Sequence, residues 1–324
     1  MKVLVTGATS LIGRHTVRRL RERGDDVTTL QRGPGDPDVR AVRGSVTDPA
    51  AVERACAGQD AVIHLAAKVG ATGGWADFER INVAAAAMLI DAARRAGVRS
   101  FVHVSSPSVA HAGRSLIGAG ADPADPARAR GQYSRSKALG EIMALQASSA
   151  DLPGVAIRPH LIWGPGDRQL VGRVVDRARQ GRLAVVGSGT ALVDTIYVDN
   201  AADALVAALD RGPQLAGRAF VISNGEPRTV NELMARVLAA AGLRATPRHV
   251  PLLVAQLGGT LVEQIWARSG RTGDPPMTRF VAEQLATAHW FRQAETRVAL
   301  QWTPVVTLDE GFDRLADWYR SGLG

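Results

Sequence analysis

Short apolar runs alternate with longer segments of helical periodicity along the first 160 residues of the chain. The runs are rich in β-branched and other apolar residues and end in polar or glycine-containing turns, which is typical of buried strands. We predict strands at Lys2–Thr6, Asp26–Gln31, Ala61–Leu65, Ser100–Ser105 and Val155–Arg158. We predict helices between them at Leu11–Arg23, Pro49–Ala57, Phe78–Ala96 and Tyr133–Ala147.

This alternation predicts an α/β fold, a doubly wound parallel sheet (Rossmann) with helices on both faces. The rhythm loosens after Pro159, but two later runs, Asp194–Val198 and Ala219–Ser223, are predicted to return to the sheet. We therefore expect residues 1–158, with 190–223 returning, to form a dinucleotide-binding domain. Residues 159–189 and 224–324 are expected to form a smaller, mostly helical substrate-binding lobe.

Three later stretches carry a less regular pattern. Residues 113–131, and especially Gly118–Arg130, are rich in Ala, Gly, Asp and Pro, so we predict a loop there. The stretch Thr229–Phe291 is expected to be mostly helical. Within it, Val250–Trp266 is apolar, and we favour a core or lid helix over a helix that lies on a membrane.

Composition narrows the class of protein. The 324 residues, 46% of them hydrophobic, can build a full core. The formal charge of +8 comes mainly from scattered arginines, which favours a solvated basic surface over a nucleic-acid interface. A lone cysteine, Cys56, excludes an internal disulfide and a multi-cysteine metal site and fits the cytoplasm. We expect no metal, no secretion signal and no membrane-spanning segment.

The segment Thr6–Gly13 follows the first predicted strand and opens the first predicted helix. Small residues let the backbone approach a pyrophosphate, and a helix N-terminus supplies free N–H groups and a favourable dipole. Ser10 stands where the Gly-x-x-Gly-x-x-Gly pattern usually has its middle glycine, so its φ must be negative or strained. We interpret the segment as a dinucleotide-binding loop rather than an ordinary βα turn. Its expected contacts are Gly7, Ser10, Leu11, Ile12 and Gly13.

The second predicted strand ends in Leu30-Gln31-Arg32-Gly33, without an acidic residue. Sites that prefer NAD place an acid there to bind the ribose hydroxyls. A guanidinium at Arg32 can instead pair with a 2′-phosphate through its fork of donors. We therefore predict NADP(H) rather than NAD(H), with a simple surface turn as the alternative role for Arg32.

Tyr133 and Lys137 stand four residues apart at the start of a predicted helix. That spacing places the phenol and the ammonium on one helix face, where both can point at the same ligand. We expect the lysine and an oxidised nicotinamide to lower the pKa of the tyrosine, which would make it a general acid or base. Three serines, Ser105, Ser106 and Ser108, lie at the end of the fourth predicted strand. Any of them could hold the substrate oxygen or simply cap a turn.

Taken together, these motifs resemble the extended short-chain dehydrogenase/reductase family along nearly the whole chain. The matching pieces are Gly7–Gly13, His64-Leu65-Ala66-Ala67, Asn82-Val83, Ser106, Tyr133 with Lys137, Arg158-Pro159 and Tyr197-Val198-Asp199-Asn200. In that family the catalytic serine stands three residues before the valine that is Val109 here, so the resemblance selects Ser106. It implies a catalytic set of Ser106, Tyr133 and Lys137.

The resemblance also implies cofactor contacts outside the glycine loop. Ser45 and Val46 occupy the positions that flank the adenine, and Ser45 replaces the usual acid. Lys68 follows the predicted strand Ala61–Leu65 and is expected to touch cofactor or substrate. The remaining expected cofactor residues are Leu65, Ala66, Ala67 and Pro159, together with Tyr133 and Lys137.

Two departures from the family pattern bear on the substrate. Sugar-nucleotide dehydratases carry acids after the catalytic serine, where Pro107 and Ser108 stand, and the epimerases commonly carry an arginine where Val193 stands. Both argue against a sugar nucleotide. The chain is similar instead to the 3β-hydroxysteroid dehydrogenase branch, and within it to bacterial reductases of 2-alkyl-3-oxoalkanoates. The resemblance implies reduction of a long-chain β-keto acid with NADPH.

An apolar ketone or alcohol is thus the expected partner, and nucleic acid is not. We expect the substrate to meet Ser106, Ser108, His160, Trp163 and Arg168, although a core role suits His160 and Trp163 equally well. Val250–Trp266 and Thr278–Phe291 are expected to contribute an apolar pocket, and Arg168 or Arg279 to meet a carboxylate.

Two alternatives stay open at this point. One is a 3β-hydroxysteroid or sterol-carboxylate dehydrogenase, which shares the same residues. The other is a non-catalytic module that senses NADP and binds partners, although such a module would not need both Tyr133 and Lys137. Homodimers are common in the family, and a homodimer is compatible with the sequence.

Overall fold

A seven-stranded sheet forms the centre of the protein in a computed structural model that describes residues 1–70, 73–111, 113–269, 283 and 286–324. Its strands are β1 Lys2–Thr6, β2 Asp26–Gln31, β3 Arg40–Arg43, β4 Ala61–His64, β5 Ser100–Val104, β7 Gly154–Pro159 and β12 Ala219–Ile222. The order across the sheet is β12-β7-β5-β4-β1-β2-β3, and every neighbouring pair is parallel. The predicted doubly wound α/β fold is confirmed. Strand β3 was not predicted.

Helices cover both faces of this sheet. They are α1 Leu11–Glu22, α2 Pro49–Cys56, α3 Trp75–Glu79, α4 Ala85–Arg95, α5 Gly131–Gln146 and α7 Val198–Asp210. α1 packs against α7 over one buried apolar cluster, and α2 packs against α4 over another. The predicted helix Phe78–Ala96 is therefore α3 and α4, and a π-helical turn at Arg80–Ala84 joins them.

The remaining elements form a smaller layer beside the carboxyl edge of the large sheet. A second sheet has the order β13-β10-β15-β6, and two short sheets pair β8 with β11 and β9 with β14. The strands are β6 Leu116–Ala119, β8 Ile162–Trp163, β9 Ala184–Val186, β10 Leu192–Val193, β11 Ile196–Tyr197, β13 Arg228–Thr229, β14 Arg248–Val250 and β15 His289–Phe291. The helices are α6 Val171–Arg179, α8 Val230–Ala240, α9 Leu252–Ser269, α10 Ala294–Leu300 and α11 Leu308–Arg320. No helix in the described ranges combines the length and apolar character needed to cross a bilayer.

Two predictions of local structure were wrong. The stretch 113–131 is not only loop, because β6 lies within it and pairs in parallel with β15, far away along the chain. The run Asp194–Val198 does not return to the large sheet. Only β11 is a strand there, and it pairs with β8 before Val198 begins α7. In both places the partner strand is distant in sequence, so a local pattern could not reveal the pairing.

Candidate active site at the carboxyl edge of the central sheet

The glycine loop runs from β1 into α1 and is shaped by close backbone contacts. Gly7 has a φ of +72°, and a Cβ built there would lie 2.7 Å from the backbone N of Ala66. A Cβ on Gly13 would lie 2.3 Å from the carbonyl O of Gly7. Ser10 caps α1 with a φ of −70°, and its Oγ accepts a hydrogen bond from Gly13 N. Ser10 therefore fits without strain, and only the two glycines are sterically required.

The start of α1 has the donors that a pyrophosphate needs. The N–H groups of Leu11 and Ile12 lie in the first turn, where an α-helix provides no partner for them. The helix dipole also favours negative charge at this end. The loop comes within contact distance of the chain after β4, which brings Leu65, Ala66 and Ala67 beside it, all partly exposed. The donor set and the small residues fit the pyrophosphate of a dinucleotide.

Two arginines meet where β2 and β3 end. Arg32 directly follows β2 and is exposed, and Arg43 closes β3 in register with Gln31. The Nε of Arg43 donates to the carbonyl O of Arg32 at 3.5 Å, so the Arg43 guanidinium lies against the backbone of Arg32. Ser45 and Val46 follow β3 and are partly exposed, and Ser45 Oγ pairs with the hydroxyl of Thr47. Sequence reasoning missed Arg43, because β3 itself was not predicted.

Helix α5 is fixed to the large sheet by a buried ion pair. Arg158 on β7 donates from Nε to the Oε2 of Glu141 at 2.9 Å, and both side chains are 1% exposed. Arg158 also donates to the carbonyl O of Asp122, which ties down the chain that leads into α5. Because α5 is anchored at its middle and before its start, the side chains of its first turns are held in a defined position.

Lys137 lies under the carboxyl end of β5. Its Nζ donates to the carbonyl O of Val104 at 2.6 Å, and the side chain is buried. Burial lowers the pKa of Lys137 to about 8, although Glu141 acts in the opposite direction. Lys137 is therefore a buried cation with a lowered pKa at the base of the site.

Ser106 and Tyr133 complete the predicted catalytic set. Ser106 caps a short 3₁₀ turn at Pro107–Val109, and its Oγ lies 3.0 Å from the Oγ of Ser108. Burial raises the pKa of Tyr133, and a side-chain hydrogen bond with Ser106 acts against this. The predicted lowering of this pKa by Lys137 together with an oxidised nicotinamide stays a prediction, and the Lys137 ammonium is directed at the carbonyl O of Val104. A side-chain hydrogen bond thus joins Tyr133 to Ser106, and Lys137 bonds the backbone two residues before Ser106.

Asn82 connects the segment that follows β4 to the first turns of α5. Sequence reasoning gave it no role in the site. Its Oδ1 accepts from Lys68 N at 2.7 Å, and its Nδ2 donates to Lys68 O at 3.0 Å and to Ser136 Oγ at 2.9 Å. Ser136 in turn donates to the carbonyl O of Tyr133. The Lys68 ammonium itself lies over the ring of Phe78. The Asn82-Val83 pair in the sequence was the available indication.

The expected substrate residues divide between core and surface. Trp163 is 2% exposed, donates from Nε1 to Thr195 Oγ1 and stacks on Phe312, so it belongs to the core and not to a pocket wall. His160 and Pro159 are buried too, and His160 Nδ1 hydrogen-bonds the carbonyl O of Asp194. Of the two roles left open for Trp163, its burial and the hydrogen bond of its Nε1 favour the core role.

Arg168 and one apolar face of α9 are exposed to solvent. Arg168 is exposed in the loop before α6. Along α9, Leu253 and Leu257 are more than 70% exposed, and Leu261 and Ile265 continue the same stripe. The spacing of four residues places these side chains on one helix face. Arg279 lies outside the described residues, as does half of the stretch Thr278–Phe291.

Comparisons with known proteins agree with this arrangement. Residues 3–223 match the NAD dependent epimerase/dehydratase family. The chain is 41% identical over 325 residues to a 2-alkyl-3-oxoalkanoate reductase of Stenotrophomonas maltophilia, covering 97% of this chain and 98% of that protein. A reductase of the same name from Shewanella oneidensis is 36% identical, covering 96% of this chain and 84% of that protein.

Among solved structures, MoeE5 in complex with UDP-glucose and NAD superposes with a TM-score of 0.75 at 25% identity, covering 100% of both chains. That likeness extends over the large sheet and the smaller layer alike. The match to the family spans every strand of the large sheet. The chain therefore belongs to the NAD dependent epimerase/dehydratase family, within the extended short-chain dehydrogenases/reductases, and is an NAD(P)-dependent oxidoreductase.

Proposed function

We propose that this protein reduces the 3-keto group of a 2-alkyl-3-oxoalkanoate to the alcohol with NADPH. The observation that carries the proposal is the convergence of Ser106, Tyr133 and Lys137 at the carboxyl edge of the sheet, beside a loop suited to pyrophosphate. The 41% identical relative, which carries that reductase name over almost its full length, supports the substrate class.

Within this proposal, each catalytic residue has a separate role. The bound nicotinamide cofactor supplies the hydride. Tyr133 donates its phenolic proton to the substrate oxygen, and Ser106 donates a hydrogen bond to the same oxygen as it gains charge. The raised pKa of Tyr133 suits this direction, because it keeps the phenol protonated at physiological pH. Lys137 holds the nicotinamide ribose and supplies positive charge below Tyr133.

The preference for NADPH rests on charge at the end of β2. Gln31 and Arg32 stand where an acid would bind the ribose hydroxyls of NAD. The guanidinium groups of Arg32 and Arg43 share that edge, and in the described part of the chain neither forms an ion pair with a carboxylate. Two unneutralised arginines favour a 2′-phosphate.

The substrate's two alkyl chains need an apolar surface near the site. Residues 159–189 and 224–324, joined by the short strands β10 and β11, are proposed as the substrate-binding lobe, with 1–158, α7 and β12 as the dinucleotide-binding domain. The exposed apolar face of α9 supports this division, because side chains such as Leu253 and Leu257 are available for contact. Burial of each methylene of a chain there contributes about 0.8 kcal/mol.

The test compares the wild-type enzyme with Tyr133→Phe, using a 2-alkyl-3-keto acid and each nicotinamide cofactor. The wild type should consume NADPH, with a lower KM for NADPH than for NADH, as followed by absorbance of the reduced nicotinamide. Tyr133→Phe should keep cofactor affinity and lose about 10² or more in kcat, because the proton donor is gone. Near-normal turnover by the variant, or a preference for NADH, would contradict the corresponding part of the proposal.

A further inference from the structure

Three arginines line an open cavity of about 620 Å³ in front of α5. They are Arg114, Arg128 and Arg130, and the other lining residues are Ala127 and Ala129. No acidic residue is among the residues that line it. The cavity therefore carries concentrated positive charge, and its alanines leave room for a ligand between the guanidinium groups.

The segments that line the cavity follow Ser106 and precede Tyr133 along the chain. Asp125 N donates to the carbonyl O of Val109 at 2.9 Å, which ties the arginine-bearing segment to the 3₁₀ turn after Ser106. At the other end, Arg130 is the N-cap residue of α5, three positions before Tyr133. One helical turn spans only about 5.4 Å, so the backbones of Arg130 and Tyr133 lie within one turn of each other.

The segment that carries Arg128 and Arg130 forms a hydrogen-bonded turn. The Asp125 carboxylate accepts from the N–H groups of Ala127 and Arg128, and its carbonyl O accepts from Ala129 N. The Arg130 guanidinium packs against Gly113, where an added Cβ would lie 3.0 Å from Nη2. The arginines are thus presented by an ordered backbone rather than by a loose loop.

Among the described residues, only one of the three guanidinium groups of this cavity contacts a carboxylate. Many arginines of the chain are paired with acids, as Arg19 is with Asp203 and Arg236 with Asp309. Within the described ranges, Arg114 and Arg130 form no such pair, and Arg128 has only a long 3.5 Å contact with Asp125. Unpaired guanidinium groups at the mouth of a site attract an anion and bind a carboxylate through two parallel hydrogen bonds.

We propose that this arginine-lined cavity binds the carboxylate of the substrate, with Arg130 as the main contact. The inference rests on the proposed function, since a 2-alkyl-3-oxo acid carries its carboxylate two bonds from the keto carbon. A carboxylate held by Arg130 would fix the direction of the keto group toward Ser106 and Tyr133. The cavity would then select free acids over neutral esters, a discrimination that neither the apolar surface nor the catalytic residues provide.

The test follows oxidation of a 2-alkyl-3-hydroxy acid and of its methyl ester with NADP⁺, because these substrates do not decarboxylate. The wild type should show a KM for the acid at least tenfold below that for the ester. Arg130→Gln should raise the KM for the acid about tenfold and leave the ester unchanged, Arg114→Gln should have a smaller effect of the same kind, and Arg130→Lys should restore part of the loss. Arg40→Gln removes an exposed arginine from the far end of β3 and serves as the control.

A binding measurement separates this inference from the proposed function. The dissociation constants of 2-hexyldecanoic acid and of 2-hexyldecanol, which cannot react as 3-hydroxy acids, are measured by calorimetry with wild type and Arg130→Gln. The inference requires weaker binding of the acid alone to the variant. Equal affinity of both proteins for the acid overturns the inference, even if the keto acid is reduced. Suppose instead that Arg130→Gln weakens binding of the acid but not of the alcohol, and that neither keto acid nor hydroxy acid is turned over by the wild type. That result overturns the proposed function and leaves the carboxylate site standing.

Discussion

At the scale of single residues, the site combines one buried cation with neutral neighbours. Lys137 is 3% exposed and lies among His64 and His103, which are also buried. Burial, with Lys137 adding to it, lowers the pKa of His64 to about 3 and that of His103 well below its ordinary value. Both imidazoles therefore stay neutral at physiological pH. The positive charge beside these imidazoles belongs to Lys137, and Glu141 acts on its pKa in the opposite direction to burial.

The lowered pKa of Lys137 makes stability depend on pH. Between about pH 8 and the ordinary lysine range, the unfolded chain binds a proton that the folded protein has released. The free energy of unfolding should therefore rise with pH through this window because of Lys137. Measured by urea unfolding at pH 7.5 and 9.5, wild type should gain about 2 kcal/mol relative to Lys137→Met. The exposed Lys2→Met serves as the control. A constant difference between wild type and Lys137→Met at both pH values would show that this lysine does not titrate in the window.

At the scale of elements, the turn between β1 and α1 illustrates how backbone approach determines sequence. Gly7 needs its positive φ and its contact with Ala66, and Gly13 needs its contact with Gly7 O, whereas Ser10 replaces the middle glycine without conflict. The π-helical turn before α4 has a comparable role, because it places Asn82 against Lys68 and Ser136. Short irregular elements thus position the glycine loop and the segment after β4 relative to α5.

Gly13→Ala should damage this turn. The new methyl group would meet backbone atoms that cannot move aside independently, so we expect destabilisation of about 1–3 kcal/mol and at least tenfold weaker NADPH binding. Thermal unfolding and fluorescence titration with NADPH measure the two effects. Gly258→Ala is the matched control, because that glycine is exposed in α9 with no atom near its added Cβ, and it should keep both properties or gain slightly in stability. Unchanged NADPH affinity in Gly13→Ala would argue against the loop as the pyrophosphate site.

At the scale of the whole molecule, buried amides join the C-terminal segment to the large sheet. Asn200 on α7 accepts from the N–H groups of Val305 and Val306 and donates to Val306 O and to Asn224 Oδ1. Asn224, which follows β12, donates to the same Val306 carbonyl. One polar cluster therefore fixes the chain that leads into α11, whose apolar face packs on Trp163 and Tyr197.

Removing this amide should loosen the C-terminal segment. Asn200→Ala leaves the N–H groups of Val305 and Val306 and the oxygens Val306 O and Asn224 Oδ1 with fewer partners, and we expect a loss of about 3 kcal/mol in the free energy of unfolding. Chemical denaturation measures it, with Asn231→Ala as control because Asn231 makes a single hydrogen bond at an exposed site. A loss of less than 1 kcal/mol in Asn200→Ala would mean that the cluster contributes little to holding the two layers together.

The sequence by itself predicted most of the large sheet, the position of the glycine loop between strand and helix, and Tyr133 and Lys137 four residues apart on one helix. These depend on periodicity and on spacing within one element, which are local properties of a chain. The tertiary structure decided what depends on distant partners. It placed β6 beside β15, moved Trp163 into the core and turned Lys137 toward Val104.

The arginine cavity belongs to the second group. Arg114, Arg128 and Arg130 looked like scattered surface charge in the sequence, because a composition cannot show which guanidinium groups have an acidic neighbour. Folding brings the turn after Ser106 against the segment before α5, and only then do these arginines share one opening. Charge pairing is a three-dimensional property, so the substrate-facing charge emerged from the structure, whereas the chemistry of Tyr133 and Lys137 was predicted from four residues of spacing.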